Sequence, residues 1–456
     1  MASVVVGLGK TGASCLRYLA KRGIPVSATD TRRAPPGLAE LGGLAKTLDI
    51  RLGGFDLSLL EGASQVLMSP GVSLEEPIAS QARARGIEVL GDIELFARAV
   101  RAPVIGITGT NGKSTVTSLV ARMAATAGRR VLAGGNLGVP ALDLLEHEIP
   151  DLYVLELSSF QLQTTYSLEL QAAVVLNVTA DHLDRYASVS AYARAKARIF
   201  AKAATVVLNA DDPRVAAMRA AVTGGGAAKR GAALRDPPRI LTFSTQRTDA
   251  DFALLHTDTQ IHLARRGEPV LDISRMKITG LHNAANALAA LALGEAAGLE
   301  LSAMLEALET FPGLAHRSEW VADLAGVRYI DDSKGTNVGA TLAAVSGLSG
   351  SLIIIAGGEG KGQDFRPLAA AFQDKVRHAV LIGKDAAAIE SALRGVCATE
   401  RAATMEAAVN AAAAVARPGD TVLLSPACAS LDMFRDYAQR GDVFAAAVHA
   451  LKWPPR

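Results

Sequence analysis

The sequence predicts a three-domain α/β chain, and three observations carry that prediction. At 456 residues the chain exceeds what one core organises, since domains commonly run to roughly 100–200 residues. Short apolar runs ending in Gly, Asn, Asp or Ser alternate with alanine-rich helical stretches from end to end, the pattern of parallel sheets covered by helices. Glycine-rich turns at 7–12 and 106–112 each follow such a run and open a helical stretch, where α/β sheets hold phosphates.

The first block has apolar runs at 3–6, 25–29, 65–68 and 88–90 and reads as a Rossmann-like domain over residues 1–95. The second begins after Ala102-Pro103 with runs at 104–107, 130–133, 152–157, 172–178 and 205–208, a central parallel sheet carrying a P-loop. An alternating polar stretch at 250–273 reads as a small antiparallel section attached to that sheet, and Pro312-Gly313 closes the domain at 96–313. The third block, 314–456, has runs at 327–330, 351–355, 378–382 and 421–424 and is again Rossmann-like. Residues 224–233 read as a flexible surface loop.

Composition removes several function classes. Half of the residues are hydrophobic and 20% are charged, which excludes a disordered chain. Lys plus Arg number 47 against 45 Asp plus Glu, so no global field draws the chain to nucleic acid, and local devices must hold any anion. Cys15, Cys397 and Cys428 are odd in number and lack CxxC spacing, which argues against a disulfide framework or a cysteine zinc site and for a reducing, cytoplasmic setting. The apolar N-terminus lacks a basic leader, and no apolar stretch approaches about 20 residues, so no membrane insertion is expected. A monomer is expected.

The strongest chemical signal is Gly109-Thr110-Asn111-Gly112-Lys113-Ser114-Thr115, between an apolar run and a helical stretch. Backbone N–H groups of such a loop curl around phosphate oxygens, Lys113 reaches the β- and γ-phosphates, and Ser114 ligates Mg²⁺. The strict P-loop pattern would place a glycine where Ile107 stands. Glu156 ends the run 152–157, where a carboxylate can hold the hard Mg²⁺ cation. His182, in Asp181-His182-Leu-Asp184, follows the run 172–178, and Lys196 lies on an amphipathic stretch whose plainer reading is a solvated lysine. At the N-terminus Gly7-Leu-Gly9-Lys-Thr11-Gly12 fits G-x-G-x-x-G, with Asp30 after the next run; by motif alone NAD is a fair guess, although any diphosphate can use such a loop.

Taken together, the run 109–115, Glu156-Leu-Ser-Ser-Phe-Gln-Leu, Leu176-Asn-Val-Thr with Asp181-His182, Lys196, Asp332-Ser-Lys334-Gly-Thr336-Asn337, Gly357-Gly-Glu-Gly-Lys361 and the segment 424–432 resemble the Mur ligase family over essentially the whole chain. The resemblance implies an ATP-dependent amide-forming ligase of peptidoglycan synthesis that adds D-glutamate to UDP-N-acetylmuramoyl-L-alanine through an acyl phosphate, one substrate to each domain. It turns the N-terminal fingerprint toward the uridine diphosphate, with Gly9, Thr11, Asp30, Thr31, Arg32 and the turn Ser69-Pro70-Gly71 as contacts and Asn136 at the muramoyl end. It implies two Mg²⁺ ions, one held by Ser114 and Glu156, the other by His182 with Lys196 as a carbamate. Asn283, Asn286, Arg317 and Asp332 would reach ATP, and Lys334, Thr336, Lys361 and Ser430 the glutamate. Tyr437 stands where the family pattern has a phenylalanine behind the glutamate, which leaves amino-acid affinity open. The alternatives are a sibling ligase for L-alanine, a diamino acid or folate glutamates, and an NAD-binding oxidoreductase.

Overall fold

The structure is a computed structural model that describes residues 2–136, 138–223, 237–348 and 350–451. The stretch 224–233, expected as a surface loop, lies outside those residues. The N-terminal sheet is built from β1 (Ala2–Val6), β2 (Val26–Asp30), β3 (Asp49–Leu52), β4 (Ala63–Met68) and β5 (Glu88–Leu90), all parallel in the order β3-β2-β1-β4-β5. The order reverses beside β1, so the loops after β1 and β4 part and leave a crevice at the carboxyl edge.

The central sheet has nine strands: β6 (Val104–Thr108), β7 (Val131–Gly135), β8 (Leu152–Glu156), β9 (Leu170–Val175), β10 (Ala203–Asn209), β11 (Arg239–Ser244), β12 (Phe252–His256), β13 (Ile261–Arg265) and β14 (Glu268–Asp272). Its order is β14-β13-β12-β11-β10-β9-β6-β8-β7, parallel from β7 to β12, with β13 and β14 added antiparallel as the alternating pattern predicts. The C-terminal sheet comprises β15 (Glu319–Leu324), β16 (Val327–Asp331), β17 (Leu352–Gly357), β18 (Val376–Ile382), β19 (Ala398–Arg401) and β20 (Thr421–Leu424), in the order β15-β16-β20-β17-β18-β19 with only β15 antiparallel.

Four strands lie outside the apolar runs of the sequence: β3, β11, β15 and β19. Three of them are sheet edges, where one flank meets water and polar residues cost nothing, as Asp49, Arg51, Glu319 and Arg401 show. The run expected at 172–178 ends at Val175, which releases Asn177 and Val178 into the loop that carries His182. The helix Asp92–Ala99 runs across the expected 95/96 boundary. One buried cluster joins the first two sheets, with Val5, Leu16 and Leu67 continuous with Tyr153, Leu155 and Val206, whereas the C-terminal sheet has apolar clusters of its own on each face.

Candidate active site

The N-terminal crevice is a cleft of about 590 Å³ walled by the loops after β1, β2 and β4 and by the turn after β7. Every residue expected at the uridine diphosphate lines it: Gly9, Thr11, Asp30, Thr31, Arg32, Gly71 and, at the far end, Asn136. Asp30 organises the rim. Its Oδ2 accepts from Leu8 N at 2.6 Å and from Arg32 Nη2 at 2.7 Å, and its Oδ1 accepts from Arg32 N at 2.8 Å. Burial alone would push this carboxyl up, but Arg32 and the backbone donors hold it below its usual range. The sequence reading did not assign Gln161 and Arg185 to this cleft. Gln161 closes a capping box with Ser158 and donates from Nε2 to the buried Asp92 at 3.0 Å, a link that the Ser-x-x-Gln spacing signals in part. Arg185 donates to the carbonyls of Gly71 at 3.1 Å and Val72 at 3.2 Å while its guanidinium lies over Phe160, so the central domain grips the N-terminal turn.

The central phosphate loop explains the missing glycine. Ile107 is a fully buried residue of β6, so the loop itself begins later, at Gly109, and needs no glycine at 107. Gly112 sits at φ +84° directly before the helix Lys113–Thr126, and a side chain there would collide with Oδ1 of Asn286. Asn286 in turn donates to Asn283 at 3.2 Å, so Asn286 stands against the loop with Asn283 behind it. Lys113 donates to the carbonyls of Gly109 at 2.9 Å and Thr110 at 2.8 Å, so its ammonium is folded back into the loop that would hold phosphates. Ser114 donates to Glu156 Oε2 at 2.6 Å, and Asn136 donates to the other oxygen at 2.6 Å. Burial raises Glu156, but the charge of Lys113 and these hydrogen bonds outweigh it, and the group stays ionised.

This is an oxygen pair suited to Mg²⁺, and a cation already faces it: Arg317 Nη2 donates to Ser114 Oγ at 2.7 Å. The residues therefore fit a divalent ion between loop and carboxylate. On the other side of the loop, Lys196 is 1% exposed, donates to Gly109 O at 2.8 Å and lies 4.4 Å over the Tyr192 ring. Burial, then the charge of Lys113, pushes this amine well below the usual lysine range. His182, at φ +53°, meets the same Tyr192 edge-on and also Phe160, and burial holds it toward the neutral imidazole that can ligate metal. The solvated-lysine reading of Lys196 is thus replaced by a buried amine that donates to a loop carbonyl.

The C-terminal domain supplies the remaining wall. Arg317 precedes β15, and Asp332 follows β16, where it accepts from Ser425 Oγ at 2.8 Å and Ser318 N at 3.2 Å; burial pushes its carboxyl up to about 7. The Lys334 ammonium lies 3.6 Å over the Tyr437 ring, and burial, helped by Arg317 and Lys113, lowers it to about 8. The Tyr437 ring is therefore half-buried and engaged, not a bare surface phenol. Lys361, at φ +51° on an exposed turn, is close enough to lower His182, while Thr336 sits on the loop after β16 and the 4% exposed Ser430 on the loop after β20. Arg440 was not foreseen. It is fully buried and donates to Ser333 O at 2.7 Å and Cys428 O at 3.1 Å, tying those two loops together.

Comparison with known proteins gives one answer along the whole chain. Three family models match: Mur ligase MurD-like, N-terminal domain, over residues 1–91; Mur ligase middle domain over 107–294; and Mur ligase, glutamate ligase domain, over 316–428. The UDP-N-acetylmuramoylalanine--D-glutamate ligase of Nitrosococcus oceani is 52% identical over 453 residues, covering 98% of this chain and 96% of its own. The enzyme of the same name from Pseudomonas aeruginosa is 48% identical over 98% of each chain. Among solved structures, UDP-N-acetylmuramate-alanine ligase of Thermotoga maritima superposes with a TM-score of 0.61 at 19% identity, covering 99% of this chain and 100% of that one. FolC of E. coli with ADP gives 0.59 at 18% identity over 83% of this chain and 100% of its own. Phosphate loop, carboxylate, buried lysine and third-domain arginine thus stand in a fold and a sequence that place this chain in the Mur ligase family.

Proposed function

We propose that this protein is an ATP-dependent ligase that adds D-glutamate to UDP-N-acetylmuramoyl-L-alanine, releasing ADP and phosphate, in peptidoglycan precursor synthesis. The close relatives carry that name, and one observation ties it to this site. Asn136 both walls the N-terminal cleft and donates to Glu156 at 2.6 Å, so the far end of the cleft opens onto the phosphate loop. A substrate held by its diphosphate at the glycine turn would deliver its carboxylate there. In this division, residues 1–95 hold the UDP substrate, 96–313 ATP and 314–456 the amino acid.

The substrate carboxylate oxygen attacks the γ-phosphorus, the bond to ADP breaks, and an acyl phosphate forms. The glutamate amine then attacks the acyl carbon, loses a proton and expels inorganic phosphate, leaving the amide. Lys113 moves from the loop carbonyls to the phosphoryl oxygens, and Arg317 meets the same charge from the third domain. Ser114 with Glu156, and His182 with Lys196 as a carbamate, would hold Mg²⁺, which would supply charge neutralisation for the polyphosphate. Lys196 suits carbamate formation because burial favours the uncharged amine, the form that can add CO₂ with loss of a proton. Lys334, Lys361, Thr336 and Ser430 present donors to the glutamate carboxylates.

The test is phosphate release with ATP, Mg²⁺ and UDP-N-acetylmuramoyl-L-alanine, offered D-glutamate, L-glutamate or L-alanine in turn. Release with D-glutamate alone is expected; release only with another amino acid overturns the assignment. In the same assay Lys196→Ala is expected to lose activity and to regain part of it with a short free carboxylic acid. Full activity of that variant without bicarbonate removes the carbamate.

A further inference from the structure

Asn337 belongs to the segment that would hold glutamate, yet its side chain reaches into the central domain. Its Nδ2 donates to Asn111 Oδ1 at 3.1 Å and to Asp181 Oδ2 at 3.4 Å. Its Oδ1 accepts from Asn111 Nδ2 at 3.3 Å and from Ala340 N at 2.9 Å, capping the helix Val338–Gly347. One amide therefore joins the phosphate loop, the loop that carries His182 and the first turn of a C-terminal helix. Only an amide can do so, because each face of the Asn111 pair needs a donor and an acceptor.

Independent contacts surround this pair. A Cβ at Gly339 would lie 2.9 Å from Thr179 Oγ1, so the helix start sits in van der Waals contact with the His182 loop. At the other end of the same helix a Cβ at Gly347 would meet His282 Nδ1 at 3.1 Å, beside the start of the helix Leu281–Ala296. The phosphate loop is itself bound to the His182 loop, with Asn111 N donating to Asn177 Oδ1 at 2.8 Å and Thr110 N to Asn177 O at 2.9 Å. A shift of the phosphate loop therefore reaches Asn337 directly, and a shift at Thr336 reaches Asn111.

We propose that Asn337 is a positioning residue that couples glutamate binding to nucleotide binding, its amide pair with Asn111 forming only when the third domain is closed on the phosphate loop. The ligands named here rest on the function proposed above; the latch itself rests on the hydrogen bonds.

The experiment measures the D-glutamate dissociation constant of the UDP-substrate complex by calorimetry, with and without a saturating non-hydrolysable ATP analogue. Wild type is expected to bind D-glutamate about tenfold more tightly with the nucleotide, and by reciprocity the nucleotide more tightly with D-glutamate. Asn337→Asp keeps the helix cap but loses both donors, so its ratio should fall close to one, with UDP-substrate affinity unchanged. A wild-type ratio of one, or an unchanged ratio in Asn337→Asp, overturns the coupling; loss in Asn337→Ala with full rescue by Asn337→Asp reduces it to helix capping. Small-angle scattering of the chain alone separates this from failure of the functional reading. Asn337→Asp should enlarge the radius of gyration relative to wild type whatever the substrates are, and equal radii overturn the latch.

Discussion

At the scale of single residues, burial sets which groups are charged. Lys334 is the clearest case, because its ammonium is held to about 8 by burial and by the neighbouring charges of Arg317 and Lys113. The sign follows directly: below about pH 8 it is a cation able to meet a glutamate carboxylate, and above that value it becomes a neutral amine. The KM for D-glutamate should therefore climb between about pH 8 and about pH 10, roughly tenfold per unit at its steepest, in steady-state assays. Lys334→Arg should flatten the climb, since a guanidinium stays charged throughout; a wild-type KM that is level across that range removes Lys334 from the amino-acid site. Residue types foretold much here. Lys113, Ser114 and Glu156 were legible because their spacing to strand ends is local. The burial of Lys196, the Asp30–Leu8 link and the tying role of Arg440 were not, since each depends on partners remote in sequence or on burial that no spacing records.

At the scale of elements, strand ends and helix starts place the chemistry. Gly112 is the pivot between β6 and its helix, and its φ of +84° lies where an L side chain is strained. Gly112→Ala should cost about 1–3 kcal/mol from that strain and from the clash with Asn286, and weaken nucleotide binding at least about tenfold. Thermal unfolding and nucleotide titration of the variant check this, and wild-type values in both would show that the loop relaxes freely. Interior parallel strands other than β11 were legible as apolar runs because both faces are covered. The edge strands β3, β15 and β19 were not, since an edge tolerates polar side chains and its pairing is decided by the neighbour it meets.

At the scale of the whole molecule, the distribution of apolar contacts divides the chain unevenly. The N-terminal and central sheets share one buried cluster, while the C-terminal sheet is packed on clusters of its own and meets the rest through polar contacts such as Arg317–Ser114 and Asn337–Asn111. Scanning calorimetry should therefore resolve two transitions, one for residues up to about 313 together and one for the C-terminal domain. A single transition, or one for the N-terminal sheet alone, contradicts that division. No helix among the described residues is long and apolar enough to cross a membrane. By itself the sequence determined the α/β class, the order of three blocks, the phosphate loop and the family, because glycine spacing, strand-to-helix periodicity and short motifs are properties of neighbouring residues. Only the tertiary structure decided that the N-terminal cleft ends on Glu156 through Asn136, that Arg317 reaches Ser114, and that Asn337 bonds to the phosphate loop. Those contacts join residues from different sheets, and their geometry is set by how packed domains meet rather than by any local pattern.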